Sequence, residues 1–258
     1  MNKRYLFAAP FLIFMIMMVV FPLVLLFVFA FIGEDGFTFG HFQAVFSESF
    51  SMDTLMRSVA MAMIATPLII LIAYPIAYGL AFAGFRRGTT ILLLFTLPMW
   101  TNLLLRSLAL QNLYALAGFD ITGFGQLLFA FIINFLPIAI LPLYIVLGNI
   151  DKKHIEASQD LGASPSNVFF KTILPLSVPG LVASFILVFS PIVSTYFLSH
   201  FFGGSDWRMF GWLINRVFGA NNFGEGAVLA IMLMAVVGVC VLILNRFSKV
   251  GNKRGGLW

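Results

Sequence analysis

Long apolar runs alternate with short polar ones along this chain, and the apolar runs are of bilayer length. Crossing a hydrocarbon core of about 30 Å takes about 20 apolar residues in a helix. Six segments meet that requirement, roughly 5–32, 58–84, 90–113, 124–148, 178–202 and 226–245. None alternates apolar and polar residues with period two, so the strands of a transmembrane barrel are excluded. Backbone groups in lipid have to bond within their own segment, which makes all six runs helices. The pattern predicts an all-α membrane protein of six transmembrane helices in a single domain, 1–258, without a linker or a strong internal repeat.

The first run follows Lys3 and Arg4 and holds 28 residues without a charge. The apolar core of a signal peptide has only about 7–15 residues. The run is therefore expected to stay as the first membrane helix. Pro22, Pro67, Pro75, Pro98, Pro137, Pro142 and Pro191 lie inside the apolar runs. Each removes a backbone donor and tends to kink its helix. Proline is also commoner in membrane helices generally.

Composition agrees with lipid as the main solvent. The chain is 61% hydrophobic and 10% charged, against about 45–50% apolar residues in soluble domains. A net charge of +5 does not point to nucleic acid, because the basic residues sit in short clusters beside the apolar runs. Those clusters are Lys3 and Arg4, Arg86 and Arg87, Lys152, Lys153 and Lys171, and Arg246, Lys249, Lys253 and Arg254. They place eleven of the fifteen basic residues on one side of a six-span topology. Basic loops stay in the cytoplasm, so both termini are predicted to be cytoplasmic. The opposite loops hold Glu34, Asp35, Glu48, Asp53, Asp120, Asp206 and Glu225. Cys240, the single cysteine, lies in an apolar run and reads as a small packing residue.

A polar island interrupts this pattern at 150–179, IDKKHIEASQDLGASPSNVFFKTILPLSVP, on the side predicted to be cytoplasmic. Asp151 suits the N-cap of a short helix. Gly162 suits the left-handed position just past its end. Ser164 and Pro165 then open a second helix as cap and first residue, and Pro175 marks its end. Glu156 and Asp160 stand four apart on one face of the first helix. Ile155, Val168, Phe169 and Ile173 supply apolar contacts. On pattern alone the island reads equally as an amphipathic loop on the membrane surface.

The residues Glu156-Ala157-Ser158, then Gly162, then Leu174-Pro175 carry a resemblance. Their order and spacing resemble the cytoplasmic loop of type I importer permeases of the ATP-binding-cassette class. That signature runs Glu-Ala-Ala, three residues, Gly, nine residues, an aliphatic residue, one more, then Leu-Pro. Here Ser158 replaces the second alanine and Thr172 the aliphatic residue. The resemblance implies the six-helix permease fold, with a cytoplasmic coupling helix in the loop 149–177 between helices four and five. It implies that Glu156, Ala157, Ser158, Asp160 and Gly162 contact a cytoplasmic ATPase dimer. It also implies a second permease subunit, a periplasmic or lipid-anchored solute-binding protein, and residence in the bacterial cytoplasmic (inner) membrane. ATP and Mg are then expected on the ATPase partner. The chain has no Gly-x-x-x-x-Gly-Lys-Ser/Thr loop of its own. It also shows no metal-ligand spacing and no nucleophile–base set, so no cofactor and no catalysis are expected of it.

Three further stretches resemble the spermidine/putrescine permease group: Pro98-Met99-Trp100-Thr101-Asn102 with Arg106, Leu136-Pro137 with Pro142-Leu143-Tyr144, and Phe201-Phe202-Gly203-Gly204. They imply a small organic cation as cargo, held through alternating access between two permeases. Trp100, Tyr196 and Phe197 offer aromatic faces that attract ammonium groups; each also fits an interfacial belt or a packing role. Asn102, His200 and Asn215 are polar candidates for the path. His200 carries no fixed negative charge. Arg106, if it faces the path, repels a polycation and suits an anion. Rival cargoes are an anion, an amino acid or a sugar. A secondary transporter driven by an ion gradient is disfavoured, since no Asp or Glu lies in the middle of any of the six spans.

Overall fold

A computed structural model of the chain describes residues 10–33, 36–82, 88–120 and 122–255. Lys3, Arg4, the start of the first span at 5–9, Glu34, Asp35, residues 83–84 of the second span, Arg86 and Arg87 lie outside the described residues. So do the side chains of Lys249, Lys253 and Arg254.

Helix α1 (Pro10–Phe31) contains a π-helical turn at Ile16–Val20 and leads into a two-residue hairpin, β1 (Ile32–Gly33) against β2 (Gly36–Phe37). A short α2 (Gly40–Ser47) precedes α3 (Ser49–Phe82), which stays one helix through Pro67 and Pro75. Next come α4 (Gly88–Thr96), extended by a 3-10 turn at Leu97–Trp100, and α5 (Leu103–Leu116). Helix α6 (Phe124–Gly148) coincides with the expected span at 124–148. The polar island folds as α7 (Lys152–Asp160) and α8 (Pro165–Leu176). The chain ends with α9 (Val178–Ser194), α10 (Phe197–Phe202), α11 (Phe210–Gly219) and α12 (Phe223–Gly255).

On length and composition, four helices among the described residues suffice to cross a bilayer: α1, α3, α6 and the Phe223–Arg246 part of α12. Two bent pairs raise the number to six when each counts as one span. Helix α3 begins at Ser49 rather than 58, and α12 spans Phe223–Gly255 rather than 226–245.

The segments expected as unbroken helices at 90–113 and 178–202 are both interrupted. In the first, Thr90–Trp100 and Leu103–Leu116 meet at 92°. Pro98 sits in the tight turn, Thr101 N–H and Oγ1–H both donate to the Pro98 carbonyl (3.2 and 2.7 Å), and Asn102 Oδ1 caps α5 by accepting from Leu104 N (2.8 Å). In the second, Thr195 is extended (φ −65°, ψ 134°) and separates α9 from α10. Hydropathy cannot register such breaks, because the residues on either side stay apolar. A further bend of 60° at Ser177 joins α8 to α9, and α8 ends at Leu176, one residue beyond the end expected at Pro175.

The core forms where α3, α6 and α9 pack together, with α12 against α9. Ala62, Ala65, Ala73 and Ala77 of α3 are fully buried. Such small residues let helix backbones approach closely in lipid, where packing rather than the hydrophobic effect drives association. Against them lie Leu127, Ala130, Phe131, Ala139, Ile140 and Leu143 of α6, all buried. Polar pairs add direction. Ser184 of α9 donates to the Ala139 carbonyl of α6 at 2.8 Å. Ser58 of α3 gives its proton to Thr54 O and accepts from Phe210 N at 2.7 Å, so one helix satisfies a free donor at the start of another. Helix α1 stands apart from this core: along its length only Ala30 is buried.

Candidate functional site

Local chemistry builds the island. Asp151 Oδ1 accepts from Lys153 N at 3.0 Å and so caps α7. Beyond Leu161, Gly162 turns left-handed at φ +79°, its N–H donating to Gln159 O (2.8 Å), while Ala163 N–H donates to Ser158 O (3.1 Å). That pair of bonds is a Schellman cap, which satisfies the last carbonyls of a helix. Ser164 Oγ accepts from Asn167 N at 3.4 Å and starts α8.

One side of the island is bolted to the membrane helices. Val168 and Ile173 are buried, and Ile155 and Ala163 pack on the same cluster. The Phe169 ring makes T-shaped contacts with Tyr74 and Tyr78 of α3, with centroids 5.9 and 5.5 Å apart. At the 60° bend, Ser177 Oγ–H donates to Leu174 O (2.8 Å), so the 2.9 Å contact with Tyr74 is made by the tyrosine proton.

The other side is uncovered. Glu156, Ala157 and Asp160 are exposed, as is Gly162, while Ser158 is half-buried and reaches back to Thr172 of α8. Leu161 is 90% exposed and Phe170 64%. A hollow of about 340 Å³ lies between the two helices, lined by Ser158, Leu161, Gly162, Asn167, Lys171 and Thr172 among others. Leu161 and Phe170 escaped the sequence analysis. Leu161 carried a signal, since a large apolar residue directly before a left-handed glycine lies at a helix end where it has little core to reach.

The residues expected along a path fall into separate groups. Trp100, 86% exposed, and Asn102 flank the break between α4 and α5, and Arg106 follows one turn into α5. Arg106 is half-buried, and its Nε and Nη1 are enclosed without a hydrogen-bond partner. Tyr196, Phe197 and His200 gather at the break between α9 and α10, with the Tyr196 ring stacked on His200 at 5.6 Å and beside Phe197 at 5.0 Å. Gln111 of α5 donates to Phe201 O at 3.1 Å and so ties α10 to α5. Asn215 is exposed on α11, and no described contact joins it to either group. Among the described residues no cluster of three or more His, Cys, Asp or Glu is arranged to hold a metal ion.

A buried helical core, an anchored polar island and two apolar spans broken near polar side chains are the parts of a membrane permease. The chain belongs to the family of binding-protein-dependent transport system inner membrane components, which it matches over residues 2–254. It is thus a permease subunit of an importer and an inner membrane component. It is 29% identical over 220 residues to the spermidine/putrescine transport system permease protein PotB of Escherichia coli K12, covering 78% of this chain and 80% of that one. The PotB of Haemophilus influenzae is 27% identical over 263 residues, covering 93% and 92%. Among solved structures, a bacterial ABC transporter involved in the import of the acidic polysaccharide alginate superposes with a TM-score of 0.72 at 15% identity, over 96% of each chain. The MetNI methionine ABC transporter gives 0.61 at 15% identity, over 78% of this chain and 95% of that one. Both likenesses establish the fold.

Proposed function

We propose that this chain forms half of the translocation path of an ATP-driven importer for spermidine, putrescine or a related small organic cation, with α7 as its coupling helix. One observation carries the coupling assignment. The island is held rigidly on one side through Phe169, Val168 and Ile173, yet presents Glu156, Ala157, Asp160 and a nearly bare Leu161 on the other. The bare Leu161 beside these charges, with the hollow of about 340 Å³ that it lines, supports a partner seated on this face. A cytoplasmic ATPase dimer is the proposed occupant, and ATP and its Mg reside there. In this proposal both termini lie in the cytoplasm, a second permease completes the path, and a solute-binding protein delivers cargo from outside. ATP binding opens the cavity outward and hydrolysis returns it inward. The polyamine cargo is supported by the likeness to the spermidine/putrescine permeases and by the aromatic faces of Trp100, Tyr196 and Phe197.

The experiment is co-purification with the ATPase and transport by the reconstituted complex. The expected results are a complex that Glu156→Lys weakens, cargo-stimulated ATP hydrolysis, and spermidine uptake that stops without ATP. Uptake driven by an ion gradient without ATP overturns the assignment.

Arg106 favours a second reading of the cargo. Two enclosed, unpartnered N–H groups on a cation suit an acceptor, and an anionic or zwitterionic solute supplies one. Competition of spermidine against carboxylate solutes for the binding protein separates the two.

A further inference from the structure

Eleven of the fifteen basic residues belong to the clusters assigned to the cytoplasmic side, and the four left over, Arg57, Arg106, Arg208 and Arg216, are all arginines. Three of these meet at one end of the fold. Arg57 Nη1 donates to the Asp206 backbone carbonyl at 2.9 Å. Two residues on, Arg208 lays its guanidinium over Trp212, with Cζ 4.3 Å from the ring centroid, and its Nε donates to Gly204 O at 3.3 Å. Arg216, one turn further along α11, also lies over the Trp212 ring, at 5.5 Å. The underside of α11 is fastened down by buried Phe210, Gly211 and Leu213, so the indole is a fixed platform.

Two cations on one ring repel each other. Among the described residues neither is paired with a carboxylate, and the Asp206 carboxylate is engaged by Ser205 Oγ at 2.9 Å. Both guanidiniums sit over the indole, Arg208 spends only its Nε on the Gly204 carbonyl, and the Nη groups of both make no hydrogen bond among the described residues. That is the presentation needed for paired hydrogen bonds to a carboxylate, which lysine cannot supply. The patch also differs from a lipid-facing one. Helix α1 bares large apolar side chains along its length, whereas between residues 203 and 222 no large hydrophobic side chain is exposed.

We propose that Arg208 and Arg216, held on Trp212, form a docking surface for an acidic patch on the solute-binding protein. The proposal rests on the importer and orientation argued above, which put this end of the molecule outside the membrane. It deepens that reading by naming the contact and its chemistry.

The test uses the complete transporter in lipid nanodiscs, with ATP hydrolysis followed as cargo-loaded binding protein is titrated in. For Arg208→Glu with Arg216→Glu, the concentration giving half-maximal stimulation rises at least about tenfold, and its dependence on NaCl flattens. The maximal stimulation is kept. Arg208→Lys with Arg216→Lys preserves charge but loses the guanidinium fork, and shifts the same midpoint about threefold. Midpoints within about twofold of the unaltered protein for both variants overturn the proposal. So does a shift seen in phosphatidylglycerol nanodiscs and absent in phosphatidylcholine, which assigns the patch to lipid. An unaltered transporter that no binding protein stimulates sinks the importer reading itself, and is told apart because it needs no substitution.

Discussion

Thr172 of α8 and Ser158 of α7 are joined by a 3.0 Å hydrogen bond, and both occupy positions where the permease signature has an apolar residue. Ser158 gives its own proton to His154 O at 2.8 Å, so Thr172 is the donor between the helices. Two departures that look independent in the sequence compensate each other in space.

This pairing predicts non-additivity. Ser158→Ala and Thr172→Val each cost about 1 kcal/mol. The double variant costs less than their sum, by about 0.5–1 kcal/mol. A double-mutant cycle on thermal unfolding in detergent reads this directly, and strictly additive losses show that the two hydroxyls do not interact.

Leu161→Ser separates stability from assembly. The side chain is 90% exposed, so unfolding of the isolated chain is expected to shift by less than about 0.5 kcal/mol. If the ATPase covers it, affinity for that partner falls by about 1.5–3 kcal/mol, the worth of one buried leucine. Unchanged affinity in a binding titration excludes Leu161 from the contact.

Gly162→Ala tests the cap. Nothing lies within 4 Å of the added methyl, so the penalty is purely that of the left-handed backbone at φ +79°, about 1–2 kcal/mol. Gly162→Asn is expected to lose less, since asparagine tolerates this region. Equal losses for the two argue that something other than backbone conformation sets the cost.

Gly211→Ala probes the junction of α9 and α11. A methyl there runs into the backbone carbonyl of Ser194, which cannot move aside without disturbing the end of α9. Destabilisation of about 1–3 kcal/mol is expected. Gly219→Ala, with open space around it, serves as the control. A melting temperature for Gly211→Ala equal to that of the control contradicts the close approach.

Tyr74→Phe removes the hydroxyl that donates to Ser177 across the bend, 103 residues away in sequence. The expected loss is about 1 kcal/mol of stability. A larger effect is expected on the cargo-stimulated part of ATP hydrolysis, because this bond ties α3 to the island. Stimulation that survives intact removes Tyr74 from the coupling route.

The sequence alone determined whatever depends on neighbouring residues or on length. Helix α6 runs over 124–148 as expected, because the apolar stretch itself has that length. Asp151, Gly162 and Ser164 take the cap positions that their side chains favour, since a cap needs only the next few residues. The signature from Glu156 to Pro175 identified the family for the same reason. The tertiary structure showed where apolar segments break. The turns at Thr101-Asn102 and Thr195 keep a hydropathy that an unbroken span shares, and the short-range bonds that close the first, from Thr101 to Pro98 O and from Leu104 N to Asn102 Oδ1, leave no mark on that pattern. The tertiary structure alone decided which distant side chains meet: Tyr74 with Ser177, Ser58 with Phe210, Arg208 and Arg216 on Trp212. Long-range contacts depend on how whole helices approach one another, and periodicity within one helix carries no information about its neighbour.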